Sequence, residues 1–232
     1  MILTQIQITK KKQQRIQTPT DKKYYNLVLN AHSCPEIFHF KMNTWTGIYK
    51  TDFIRSNSIV YNETPGAAYQ DNGFWFQTLA LSDSIMFINR SFYHYRQDNP
   101  NSSINSKAKV FCMCDEYAFI ERFINDNKIS NEYFGIFLIK KYYNYMHTYK
   151  RISDEYKMSF LIRMKEEFEP YLKTSENAEK ELGSHIFNML WRIVDDPQQF
   201  YVEDTIYEIQ HNIVAHSLWL DHYHKITHPL HR

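Results

Sequence analysis

Hydrophobic positions fall in short runs before Pro100 and at helical spacing after it. Ile2, Ile6 and Ile8, interleaved with Thr and Gln, predict a strand, and Lys10 to Thr20 predicts a polar, basic connection. Behind Thr20 as a cap, Tyr24, Tyr25, Leu27 and Val28 predict a short helix within Asp21 to Asn30. Cys34 to Met42 reads as a loop or short extended piece. Trp45 to Tyr49 reads as a strand, Thr51 to Ser56 as a helical turn, and Ser58 to Tyr61 as another strand of β-branched and aromatic residues. Asp71 to Leu81 is an apolar helix. Ser84 to Ile88 and Phe92 to Tyr95 are two strands separated by Asn89-Arg90-Ser91.

This alternation predicts α/β layering for residues 1–107. Beyond it Val110, Met113, Tyr117, Ile120 and Ile124 share one helix face, and further helices span Asn131 to Tyr149, Ser153 to Tyr171 and Ser175 to Val194. Residues 108–232 are therefore expected to form an all-α C-terminal region, with the boundary near Ser106 to Ala108.

Composition narrows the function classes. Lys and Arg total 27 against 26 Asp and Glu, so no field of one sign recruits nucleic acid. With 43% hydrophobic residues, a chain of 232 can bury a sizeable core in one or two domains. The 18 Tyr, 16 Phe and 4 Trp are mainly core material, although exposed aromatics stack well on sugar rings. Three cysteines, Cys34, Cys112 and Cys114, form no paired framework and fit a reducing compartment. Cys112 and Cys114 read as buried thiols because too few further ligands lie at zinc spacing. Met1 leads into Lys10-Lys11-Lys12 rather than a signal sequence, and no run is long enough to span a bilayer, so the expected location is cytoplasmic. The Lys140-Lys141 and Lys150-Arg151 pairs, with Tyr142, Tyr143, Tyr145 and Tyr149, allow at most peripheral contact with the inner face of the membrane. His211, His216, His222, His224, His228 and His231 read as a polar, frayed tail.

The candidate chemistry centres on Asp71. A turn carrying Pro65 and Gly66 feeds it into the first turn of the apolar helix, where free N–H groups and the helix dipole favour a carboxylate. Three elements stand in order around it: Trp45-Thr46-Gly47-Ile48-Tyr49-Lys50-Thr51-Asp52-Phe53-Ile54, then Gln70-Asp71, then Phe92-Tyr93-His94-Tyr95-Arg96 with Ser102-Ser103. Over about sixty residues this arrangement resembles the second half of the catalytic domain of family 2 glycosyltransferases, particularly the bacterial enzymes that build capsule and lipopolysaccharide.

The resemblance implies an inverting transfer of a sugar from a nucleotide-sugar to a glycan or lipid-linked acceptor. Asp71 would be the base, Trp45 and Tyr69 would lie near the acceptor, and Arg96 with Ser102 and Ser103 would form a closing loop over the diphosphate. Gln70 stands where the family usually has Glu, which leaves the accessory acidic contact open. The implied fold is a partial GT-A-like α/β domain of the nucleotide-diphospho-sugar transferase type. The family also implies a divalent metal, Mg or Mn, held by a D-x-D motif in an N-terminal donor-binding half. No D-x-D occurs in this chain, and its five glycines form no phosphate cradle. The expectation is a chain that is incomplete, or one that relies on a donor-binding partner chain or on self-association, and that is inactive alone. The competing expectation is a non-catalytic interaction module derived from such an enzyme.

Overall fold

The computed structural model describes residues 2–10, 13–17, 22–40, 42–64, 69–96, 109–129 and 131–211. Two compact units divide at Ser153/Asp154, whereas the sequence places the boundary at 107/108.

The first unit contains one small sheet. β1 (Ile2–Lys10) and β2 (Gln13–Gln17) form an antiparallel pair, so the basic stretch expected as a connection is partly strand. β3 (Val28–Leu29) and β4 (Gly47–Ile48) contribute two residues each. β5 (Ile85–Arg96) is one continuous strand where two were expected, and it runs parallel to β1 with register shifts around Gln5. The order is β2-β1-β5-β3, with β4 also on β1.

The expected GT-A-like α/β domain is not what forms: the chain is predominantly helical, and its sheet is too small for that layering. Two local reasons are visible. Where a helix was expected within Asp21 to Asn30, the described residues 22–30 make only a 3-10 turn at Lys22–Tyr24 before β3, with Asn26 in the left-handed region at φ 61°. Ser58 to Tyr61 joins no strand, because the Gln77 side chain takes the place of a ladder. Its Nε2 donates to the Val60 carbonyl at 2.8 Å, and its Oε1 accepts the Val60 N–H at 3.4 Å. Backbone polar groups need partners, and a buried amide side chain can serve as well as a strand.

The core of this unit is instead a cluster of helices. α1 (Thr51–Ser56) is followed by α2 (Asp71–Leu81), in which every residue from Asn72 to Leu79 is buried. A helix apolar all round must be enclosed on every side. Here α3 (Cys112–Asp126) and a 3-10 turn at Pro35–His39 pack against α2, and α4 (Asn131–Tyr149) packs against α3. Aromatic rings interlock: Phe38 meets Trp75, Phe76 and Tyr133 at centroid distances of 6.0, 5.0 and 5.1 Å. Tyr117 meets Phe137 at 5.6 Å and Tyr145 at 5.7 Å. The expected α3 stripe is realised, with Val110, Met113, Tyr117, Ile120 and Ile124 all buried. Cys114 is buried and Cys112 half-buried, and neither is in a disulfide.

The residues expected to allow peripheral membrane contact divide between interior and surface, with Tyr143 and Lys150 exposed. Tyr142, Tyr145 and Tyr149 are buried, and buried Lys141 pairs with Glu121 at 3.6 Å. Among the described residues no helix is long and apolar enough to cross a membrane.

The second unit is helical. α5 (Asp154–Thr174) buries Phe160, Leu161, Met164, Phe168 and Leu172 and packs on α7 (Ser184–Asp195), whose Ile186, Leu190, Ile193 and Val194 form its apolar face. The single helix expected over Ser175 to Val194 is broken into α6 (Ala178–Leu182) and α7 by Gly183, whose φ of 77° lies where glycine is favoured. A last helix follows over 197–211, tied back by Arg192 to Glu203 at 2.6 Å. The histidines beyond His211 lie outside the described residues.

Candidate functional site

Asp71 occupies the first position of α2, and the chain is turned into that helix by Tyr69, whose φ of 65° is uncommon for a bulky residue. The Tyr69 carbonyl accepts the Asn72 N–H at 2.9 Å. Gln70 is the N-cap of that helix, and its side chain turns to Thr64 instead of capping, with its Nε2 donating to Thr64 Oγ1 at 3.1 Å and to the Thr64 carbonyl at 3.3 Å. Burial pushes the Asp71 carboxyl up to about 6, against the opposing pull of the Asp71 and Asn72 N–H groups.

A second carboxylate reaches the same turn. Glu116 of α3 is only 1% exposed; its Oε1 accepts the Gly73 N–H at 2.6 Å and its Oε2 accepts Asn62 Nδ2 at 3.1 Å. Asn62 also donates to the Asp115 carbonyl at 3.4 Å, which ties the 59–64 segment to α3. Burial pushes Glu116 up to about 7, and the charge on Asp71 adds to that rise while the Gly73 and Asn62 contacts oppose it.

Sequence reasoning missed Glu116, although a signal was present. It lies three residues after Met113 and four before Ile120, in the middle of an otherwise apolar stripe. A carboxylate there is buried by the same packing that buries its neighbours, and it needs donors.

Gly73 is what admits this carboxylate. A Cβ at Gly73 would stand 2.5 Å from Glu116 Oε1 and 2.8 Å from the Phe119 ring. Gly73→Ala is expected to destabilise the first unit by about 1–3 kcal/mol through overpacking, read as a lower denaturation midpoint in urea. An unchanged midpoint would show that the α2–α3 contact yields easily.

Two of the three elements of the sequence pattern, the first and the third, meet through their aromatic rings. Trp45, 39% exposed on the turn at 44–47, lies 6.4 Å from Tyr93 of β5, itself 38% exposed, with the rings inclined by 46°. Tyr49 stands edge-on to Phe74 of α2 at 5.2 Å, and Tyr61 stacks on that ring's surface at 4.4 Å. The first element therefore touches both the third and the helix that begins with Asp71. Arg96 ends β5 in register with Thr9. Ser102 and Ser103 lie outside the described residues.

Among the described residues no group of three or more His, Cys, Asp or Glu side chains is gathered to hold a metal ion. Asp71 and Glu116 supply two carboxylates, and Glu116 already spends its oxygens on Gly73 and Asn62. Among the described residues this donor set does not fit a divalent ion that would screen a diphosphate. No family model, no curated protein and no solved structure matches this chain.

Proposed function

We propose that the chain is a glycosyltransferase-related protein that presents the acceptor and the base for an inverting sugar transfer, with the nucleotide-sugar brought by a donor-binding partner chain. The observation that supports this reading is that the first sequence element touches the third through Trp45–Tyr93 and, through Tyr49–Phe74, the helix that starts with the half-buried Asp71 carboxylate. Asp71 takes the proton of the acceptor hydroxyl as that oxygen bonds to the anomeric carbon. The bond to the nucleoside diphosphate breaks on the opposite face and its electron pair leaves with the phosphate, which inverts the carbon. A carboxyl with a pKa of about 6 suits the role, being largely ionised at neutral pH and a stronger proton acceptor than an ordinary aspartate. Trp45 and Tyr93 offer apolar ring faces on which a pyranose can stack.

Saturation-transfer NMR of the whole chain against oligosaccharides ending in glucose, galactose or N-acetylglucosamine tests the acceptor side. Weak binding of at least one of them is expected, and it should be lost in Trp45→Ala and Tyr93→Ala. Failure of every saccharide to bind, or binding indifferent to both substitutions, would overturn the assignment of this surface.

A further inference from the structure

We propose that Glu116 is a positioning residue for Asp71: it clamps the first turn of α2 through the Gly73 N–H and sets a second carboxylate beside the base, so that the two share a proton equilibrium. The inference rests on the reading of Asp71 as the base, and it goes beyond that reading by giving the base a partner from another helix.

The geometry carries it. The Gly73 N–H is one of the donors that a helix start leaves without an intrahelical acceptor, and Glu116 Oε1 takes it at 2.6 Å. Only glycine at 73 lets the carboxylate come this close. Asn62 holds the other oxygen, so both the reach and the orientation of Glu116 are determined from two sides. A simpler device would have sufficed to cap α2: a neutral acceptor would satisfy Gly73 without burying a second acid near the first. Two buried carboxyl groups at one helix end cannot both ionise freely, and their protons come off in steps that belong to the pair. Burial raises both carboxyl groups, and the Asp71 charge raises Glu116 further, so an ionised Asp71 favours a proton on Glu116.

Among the described residues, the other titratable groups on the packed elements have partners of their own, and the Tyr117 phenol feels the Glu116 charge. On α3 the next residues are Asp115, whose carbonyl Asn62 uses, and Tyr117, whose hydroxyl accepts from Asn144 Nδ2 of α4. On α4, Lys141 pairs with Glu121 of α3. On the far side of α2, Tyr49 and Tyr61 pack on Phe74, and burial raises the Tyr49 phenol well above neutrality.

The test is a carboxyl carbon-13 NMR titration of the whole chain, wild type against Asp71→Asn and Glu116→Gln. Glutamine keeps an oxygen for Gly73 and removes the charge. In Asp71→Asn the Glu116 step should move to lower pH, and in Glu116→Gln the Asp71 curve should simplify to a single step. The two variants report the same coupling from opposite ends, so a folding failure in one leaves the other decisive. A Glu116 step at the wild-type pH in Asp71→Asn, or an Asp71 curve unaltered in folded Glu116→Gln, overturns the proposal and reduces Glu116 to a helix clamp. The titrations involve no sugar transfer: absence of transfer in every assembly would sink the proposed function and leave them as they are.

Discussion

In an assembly that transfers sugar, Asp71→Asn is expected to slow turnover by about 10²–10⁴-fold, the usual cost of losing a general base. In barrier terms this is about 3–5 kcal/mol. The substitution is chosen to separate chemistry from folding. Asparagine matches aspartate in size and is well tolerated at helix starts, so α2 should begin where it does now. What disappears is the capacity to accept a proton. The wild-type rate carries a second signature. Because burial holds the Asp71 carboxyl at about 6, the reactive ionised form accumulates as pH rises through that value, and the rate should climb and level off above it. The acid limb should vanish from the residual activity of the asparagine variant. Turnover within a few fold of wild type, or an acid limb that persists in the variant, would remove Asp71 from the reaction.

Trp75→Ala is expected to cost about 3–5 kcal/mol of stability in the first unit. Trp75 is 0% exposed, with Phe38 edge-on at 6.0 Å and the Lys140 ammonium 5.0 Å from its ring centre. Lys140 is itself fastened by donating to the Phe40 carbonyl at 3.2 Å, and burial lowers its pKa to about 8. Removing the indole leaves a cavity that these neighbours cannot fill without breaking their own contacts. Against a typical total of about 5–15 kcal/mol, the loss would populate unfolded chains measurably. Trp75→Phe should cost far less, since the Trp75 Nε1–H finds no acceptor among the described residues, so its loss removes an unsatisfied donor. Guanidinium denaturation followed by near-ultraviolet circular dichroism reads both variants. Equal midpoints for alanine and phenylalanine would contradict this account of the core.

Local information was sufficient wherever a segment buries itself along one helix face or turns on its own residues. Thr51–Ser56, Asp71–Leu81 and Asn131–Tyr149 run as the periodicity predicts, and the α3 stripe of Met113, Tyr117, Ile120 and Ile124 faces inward. The placement of Asp71 at a helix start was legible for the same reason, because apolar run and preceding turn are both local. The break at Gly183 is legible too: glycine inside a helical pattern marks a positive-φ turn where the residues beyond it can restart a helix, as Ser184–Asp195 does.

What the tertiary structure decided concerns partners far apart in the chain. Whether Ser58 to Tyr61 becomes a strand depends on what meets its backbone, and the meeting group is Gln77, an amide on a helix seventeen residues away. Whether short β-prone runs build a layered sheet depends on long-range pairing, and here packing of aromatic helices around α2 wins over it. The site divides in the same way. By itself the sequence determined that a carboxylate stands at the head of a buried helix, since periodicity and turn chemistry act over a few residues. Only the folded chain brings Glu116 onto Gly73 and Trp45 onto Tyr93, because burial and hydrogen-bond satisfaction are settled by neighbours in space.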